Sequence, residues 1–312
     1  MEFRPLELSD RVTWARLLAV CFDRSPAQME SLLAWLHAGF PLVTMGAWDG
    51  ETLVAQYNCR LLELRAPGAA HPVPAGMGLN MAVDPAYRGR GLLDRVATPV
   101  HEIIAERGCV AGVGFSSTGG LAVTRASRSY AYDVLGPMVS TVVPVTRPRR
   151  AEPLTLTDTW PSGPIALAAG DDRLVRYAVT PASLHHRFAE HPFRRYAYAT
   201  RERGGVVDGL VVYRRVTLRG VPAASLLAAY GEDLPDLLGR WAAALGAIGL
   251  HLVHLVTSPA SPLRDAAAAI GPRVVVPFSR NPYHLITRAL QPDTPPILFD
   301  LVRWDCTGGD IL

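Results

Sequence analysis

The residues best suited to chemistry stand in DPAYRGRGLLDR, Asp84 to Arg95, where two glycines alternate with two arginines just ahead of an apolar pattern at helical spacing. The first turn of a helix has backbone N–H groups without intrahelical partners, and the helix dipole is positive there. Gly89 and Gly91 let the backbone approach an anion closely, and Arg88 and Arg90 can add charge-assisted hydrogen bonds to phosphate oxygens. Strand, glycine–arginine loop and helix together would make a pyrophosphate site. A plain turn with solvated arginines accounts for the same residues, and the loop alone does not decide. Two common phosphate motifs are excluded. The chain has no lysine, hence no GxxxxGK[ST] loop and no Schiff-base lysine. GxGxxG fails because Asp94 stands where its last glycine belongs.

The elements around the loop follow from periodicity. PAGMGLNMAVDP reads as a strand closed by Asp84-Pro85. From Leu92 to Arg107 the apolar residues Leu93, Val96, Ala97, Val100, Ile103 and Ile104 fall on one helical face, with Gly108 as the stop. CVAGVGFSS is then a buried strand, and TRASRSYAYDVLG reads as a short helix before the strand MVSTVVPVT. Upstream, SDRVTWARLLAVCF and QMESLLAWLHAGF are helices, and LVTMGAWDGETLVAQYNCRLLEL is a hairpin turning at Asp49-Gly50.

These residues carry a resemblance. MAVDPAYRGRGLLDRV resembles the acyl-CoA loop of the GNAT N-acyltransferase superfamily, V-x-P-x-x-R-G-x-G between a strand and a helix, through Val83, Pro85, Arg88, Gly89 and Gly91. The family usually has a further glycine or alanine where this chain has Leu93, and Pro99 departs from it by sitting inside the helix, where it should kink. Downstream, YDVLGP matches the family's Y-x-x-x-G through Tyr132 and Gly136, with Pro137 in place of an aromatic residue. The usual asparagine after the next strand is replaced, Ser116 or Ser117 being nearest. The resemblance implies acetyl-CoA, or another acyl-CoA, as co-substrate. The main chain of Met81, Ala82 and Val83 would pair with the pantetheine arm. The main chain from Gly89 through Leu92 to Leu93, with Arg88 and Arg90, would hold the pyrophosphate, and Ser117 would lie beside the arm. An N–H of Ala82 or Val83 would stabilise the oxyanion, and Tyr132, preferred over Tyr130, would protonate the departing thiolate. No general base is evident. Asn80 cannot serve, while a water chain, a carboxylate of the second half such as Asp310, His185 and His186 remain open.

The second half repeats the rhythm: a hairpin turning at Gly204-Gly205, the strand AASLLAAYGE, the helix LPDLLGRWAAALGAIG, the strand LHLVHLVTS, the short helix SPLRDAAAAIG and one or two final strands in RVVVPFSRNPYHLITRAL. VLGPMVSTVVP and AIGPRVVVPFS each read as a helix ending in Gly-Pro before a β-rich run, which suggests a diverged tandem duplication. The second copy has no Arg-Gly loop. The expected fold is therefore α/β: two tandem GNAT-like domains, each a mixed, largely antiparallel sheet flanked by helices. Residues 1–152 would hold the acyl-CoA site. Residues 153–312 would be a degenerate copy contributing to the acceptor pocket, with the boundary in RPRRAEPLTLTDTWPSGP.

Composition narrows the function. In 312 residues the net charge is only +3, which speaks against a nucleic-acid partner and against a transferase fed by aminoacyl-tRNA, the second enzyme reading. Cys21, Cys59, Cys109 and Cys306 lie far apart and read as reduced thiols of a cytoplasmic protein. HHRFAEH comes nearest to a metal-ligand spacing without reaching one, so no metal is expected. Trp241 to Ala260 is long and uncharged enough to span a membrane, but Gly249 divides it into a helix and a strand, so no membrane association is expected. The leading expectation is an enzyme that moves an acyl group, acetyl first, from acyl-CoA to a primary amine of a small molecule, such as an amino sugar or antibiotic intermediate. A non-catalytic acyl-CoA-binding module is the third reading. Composition does not fix the oligomeric state.

Overall fold

The computed structural model describes residues 1–117, 119–121, 124, 130–146, 152–168, 170–275 and 282–311. In chain order the strands are β1 (Glu2–Arg4), β2 (Leu42–Asp49), β3 (Thr52–Arg65), β4 (Val73–Val83), β5 (Ala111–Ser116), β6 (Asp133–Pro137), β7 (Val139–Pro144), β8 (Thr155–Thr157), β9 (Arg176–Tyr177), β10 (Ala197–Arg203), β11 (Val206–Leu218), β12 (Val221–Gly231), β13 (Leu252–Thr257), β14 (Val274–Val275) and β15 (His284–Ala289). The helices are α1 (Arg11–Phe22), α2 (Pro26–Gly39), α3 (Leu92–Glu106), α4 (Pro181–Phe188), α5 (Leu234–Ala247) and α6 (Pro262–Ala266).

The chain forms two compact units, and they are not two consecutive halves. Unit 1 comprises Met1–Gly136, His191–Phe193 and Tyr283–Phe299; unit 2 comprises Pro137–Glu190, Arg194–Pro282 and Asp300–Leu312. No single cut near residue 152 reproduces this grouping, and strand pairing explains why. In unit 1 the sheet runs β1-β2-β3-β4-β5-β15-β6. Strand β15 comes from far along the chain and pairs antiparallel with β5 over six residues, His284↔Ser116 to Ala289↔Ala111. In unit 2 the order is β14-β7-β13-β12-β11-β10-β8, with β7 antiparallel to β13. The proposed linker RPRR falls outside the described residues.

Each unit is a mostly antiparallel sheet that includes a parallel step, β4 to β5 in unit 1 and β12 to β13 in unit 2. A parallel step needs a crossover, and α3 and α5 supply it. In unit 1, α3 lays Leu92, Val96, Ala97, Val100 and Ile104 against Val43, Met45, Val54 and Ala55. Residues of α1 and α2, among them Trp14, Leu18 and Leu33, pack with Trp48, Leu53 and Ala82 on the opposite face. In unit 2, α5 buries Leu237, Leu238, Trp241 and Leu245 against Val211, Tyr213, Ala224, Val253 and Leu255.

Local rules account for most element ends. Ser25 accepts from Gln28 N and caps α2, with Pro26 in the first turn. At α1 the expected Ser-Asp cap is not made, because Asp10 instead pairs with Arg4 at 2.9 Å. Trp241 to Ala260 resolves into the end of α5 and the strand β13, and among the described residues no helix is long and apolar enough to cross a membrane. One element departs from expectation. Asp133–Pro137 is the strand β6, so the sequence around Gly136-Pro137 is not a helix end and its likeness to Ile270-Gly271 is not one of secondary structure. Residues 125–129 of that expected helix lie outside the described residues.

Candidate active site

The site begins with a fork. Strands β4 and β5 pair only from Ala75↔Ala111 to Met77↔Val113; beyond that, β4 continues to Val83 and β5 to Ser116 without pairing to each other. The inner edge of β4 is therefore left with backbone groups that need partners. A bulge sharpens the effect. Gln56 pairs with Ala82 and Asn58 with Leu79, so β4 carries an extra residue there, and Asn80 takes φ +48. The Gln56 side-chain amide donates to Asn80 O and steadies the bulge. Met81, Ala82 and Val83 follow it along the fork. Gln56 Oε1 and both amide atoms of Asn58 are buried without a hydrogen-bond partner among the described residues.

At the end of β4 the chain turns through Asp84, whose carboxylate accepts from Ala86 N, into the Arg-Gly loop. Gly89 and Gly91 have φ +76 and +68, and a Cβ at either would meet nothing within 4 Å. Their glycines are thus required by backbone conformation, while the space beside them is open. Helix α3 starts at Leu92 with Gly91 as N-cap and no side-chain cap, so no capping side chain accepts from its first N–H groups. Arg88 Nε donates to Val83 O at 3.3 Å, and Arg90 donates to Ala86 O at 3.3 Å while its guanidinium lies 4.7 Å from the Tyr87 ring centre. Both arginines are held against the loop. Leu92 is buried in the α3 core and Leu93 packs against it, so the residue replacing the family's small one faces inward. Helix α3 runs unbroken through Pro99. Ser117 Oγ accepts from Gly120 N just beyond β5.

Tyr132 lies immediately before β6 and is only 6% exposed. Its hydroxyl is 3.2 Å from that of Tyr57 on β3, and His101 Nε2 on α3 lies 3.4 Å from both. Tyr130 stacks alongside, 4.7 Å from the Tyr132 ring. Glycines make room for the phenols: a Cβ on Gly78 would come 2.5 Å from the Tyr57 hydroxyl, and one on Gly112 would come 2.6 Å from that of Tyr132. Gly112 belongs to the last β4–β5 pairs and Gly78 follows them directly, so the hydroxyls sit at the root of the fork. Burial pushes the Tyr57 and Tyr132 phenols well above the ordinary tyrosine range and Tyr130 to about 12. Burial, with the positive charge of Arg288, brings His101 down to about 3. At neutral pH the cluster is three protonated phenols around a neutral imidazole. Tyr57 and His101 were not foreseen; the only local signal is a histidine set in the apolar stripe of α3.

The other candidates lie in unit 2. His185 and His186 both reach Glu190, at 3.2 and 2.6 Å, and Asp310 accepts from Thr307 N. Among the described residues no group of side chains is arranged to hold a metal ion.

Residues 2–123 match the family described as the acetyltransferase (GNAT) domain. That stretch, less than half of the chain, is what is similar to a GNAT domain. Solved structures extend the likeness over both units. A probable N-acyltransferase of unknown function from Enterococcus faecalis V583 has a TM-score of 0.67 at 13% identity, covering 93% of this chain and 72% of that one. A GCN5-related N-acetyltransferase from Anabaena variabilis gives 0.65 at 12% identity, with 93% and 73% covered. A tandem GNAT protein from the clavulanic acid biosynthesis pathway gives 0.54 at 14% identity, covering 93% of this chain and 99% of that one. At these identities the likeness is one of fold: a tandem GNAT fold. No curated protein matches the sequence. The GNAT domain supports acyl transfer in general terms.

Proposed function

We propose that the protein is an acyl-CoA-dependent N-acyltransferase acting on a primary amine of a small molecule, with its acyl-CoA site in unit 1. One observation carries this reading: the unpaired fork of β4 and β5 opens beside a helix start that has no cap of its own and is flanked by Arg88 and Arg90. The fork suits an extended arm bearing amides, and the helix start suits a pyrophosphate. Main-chain groups of Met81, Ala82 and Val83 pair with the arm, and Gly89 to Leu93 with the two arginines bind the phosphates. Ser117 stands at the end of β5, on the other side of the arm. Acetyl is the smallest acyl group this reading requires, and an amino sugar or antibiotic intermediate is a fitting acceptor.

The chemistry balances simply. The neutral amine attacks the thioester carbonyl, the C–S bond breaks, and the proton lost by nitrogen matches the one gained by sulfur. Ala82 or Val83 N–H stabilises the oxyanion. Tyr132, kept protonated by burial at the root of the fork, donates to the thiolate, and Tyr57 and His101 fix its hydroxyl.

Tyr132→Phe tests the role. Thiol release from acetyl-CoA across amino sugars, aminoglycosides, amino acids and polyamines should fall about 100-fold or more in the variant, within the usual range for a general acid, with coenzyme A affinity unchanged. The inward turn of the Tyr132 hydroxyl also favours a second reading, a non-catalytic acyl-CoA-binding module. Tight acetyl-CoA binding by the wild-type protein with no thiol release for any amine would decide for the module.

A further inference from the structure

Unit 2 contains a second fork, and the chain fills it itself. Strands β12 and β13 pair from Ala223↔Leu252 to Leu226↔Leu255 and then part, as β4 and β5 do in unit 1. A bulge again follows, since Val212 pairs with Ala228 and Tyr213 with Leu226, leaving Leu227 as the extra residue. Here the segment Cys306–Gly309 lies between the strands. Ser258 N donates to Cys306 O at 2.8 Å and Cys306 N donates to Ser258 Oγ at 3.0 Å. Thr307 bridges antiparallel to Thr257, and Gly309 N donates to Leu227 O at 2.8 Å. Gly308 touches both sides: a Cβ there would lie 3.8 Å from Val256 O and 3.9 Å from Leu226 O. A Cβ on Gly309 would come 2.8 Å from Leu227 O, so this part of the segment must be glycine to fit.

The helix start beside this fork is also filled. Helix α5 is capped by Asp233, whose carboxylate accepts from Asp236 N at 3.0 Å, whereas α3 has no side-chain cap. Glu232 and Asp233 place negative charge where α3 is flanked by Arg88 and Arg90, while Asp236 is ion-paired with Arg201 at 3.1 Å. An anion would meet repulsion at α5 and attraction at α3.

We propose that unit 2 is a self-liganded copy of the acyl-CoA site: Cys306–Gly309 stands where a pantetheine arm would lie and the Asp233 carboxylate where a pyrophosphate would bind. Each chain therefore takes one acyl-CoA, in unit 1. The stoichiometry rests on the acyl-CoA reading of unit 1; the self-filled fork does not.

Two measurements on the full chain test it. Native mass spectrometry and titration calorimetry with coenzyme A and acetyl-CoA should give one ligand per chain, lost in Arg88→Ala/Gly89→Val. Cys306, fully buried in the inserted segment, serves as the second probe. A maleimide should modify it at least tenfold more slowly than the half-buried Cys21, with the site assigned by peptide mass. Gly309→Val should abolish that protection. If this variant does not fold, wild-type labelling and stoichiometry still decide. Two ligands per chain, a ligand retained in the Arg88/Gly89 double variant, or Cys306 labelling as fast as Cys21 would overturn the proposal. No ligand bound with Cys306 protected would sink the acyl-CoA reading of unit 1 and leave the self-filled fork standing.

Discussion

His101 is the member of the phenol cluster that acid can charge. From α3 it faces Tyr57, Tyr130 and Tyr132 and feels the positive charge of Arg288. Its pKa in the folded protein is about 3, below the ordinary value of 6.5. The unfolded chain therefore binds more protons between those values. His101 does not weaken the fold above pH 6.5, and stability is lost as pH falls from there towards 3. Urea midpoints measured from pH 7 to 4 should decline steeply in the wild type and less steeply in His101→Gln, which keeps a hydrogen-bonding side chain but cannot titrate. The part-buried His254 and His37 also have pKa values lowered by burial and contribute to the slope in both proteins, so the difference between them isolates His101. Equal slopes would mean that His101 is hydrated or protonated in the folded state.

At the scale of one element, the start of α3 makes a sharper claim about binding. Arg88 is held by Val83 O and shares the loop with an uncapped helix terminus, so it can meet an anion without first being ordered. Arg88→Ala removes one charge-assisted hydrogen bond of about 1.5–3 kcal/mol, which is a roughly 10- to 100-fold weaker dissociation constant for coenzyme A. Dephospho-coenzyme A should lose the same factor, because the proposed contact is to the pyrophosphate. An unchanged affinity would move the phosphates away from this loop. This element was legible in the sequence because its signals are local: Gly89 and Gly91 for the backbone, Arg88 and Arg90 for the charge, and the apolar face of α3 for the helix. The phenol cluster was not, because Tyr57, His101 and Tyr132 come together only when β3, α3 and the approach to β6 pack. Hydrophobic alternation marks Tyr57 as inward but says nothing of which hydroxyl it meets. The strand β6 escaped for a related reason: Gly136-Pro137 looks like a helix stop locally, and only pairing beside β15 makes it a strand.

At the scale of the molecule, strand exchange decides what can fold alone. Periodicity identifies β7 and β15 as strands, but partners are a property of topology, and no local signal sends β15 to β5 or β7 to β13. A fragment of residues 1–152 keeps β7 without β13 and loses β15. The edge of β5 that pairs with six residues of β15 is then bare, and β6 loses the neighbour through which it joins the sheet. Bare edges of this length are aggregation sites, and the strand that follows Tyr132 is left without its place in the sheet. The fragment 1–152 should therefore be poorly soluble and melt without cooperativity by circular dichroism. Residues 1–137 joined to 282–299 by a flexible linker should be soluble and melt cooperatively, because that chain contains every strand of the β1-β2-β3-β4-β5-β15-β6 path. Cooperative folding of 1–152 by itself would show that β15 is dispensable to unit 1. Failure of the rejoined chain, with 1–152 and 153–312 soluble when expressed together, would show that the strand set is necessary and that unit 1 also requires residues of unit 2.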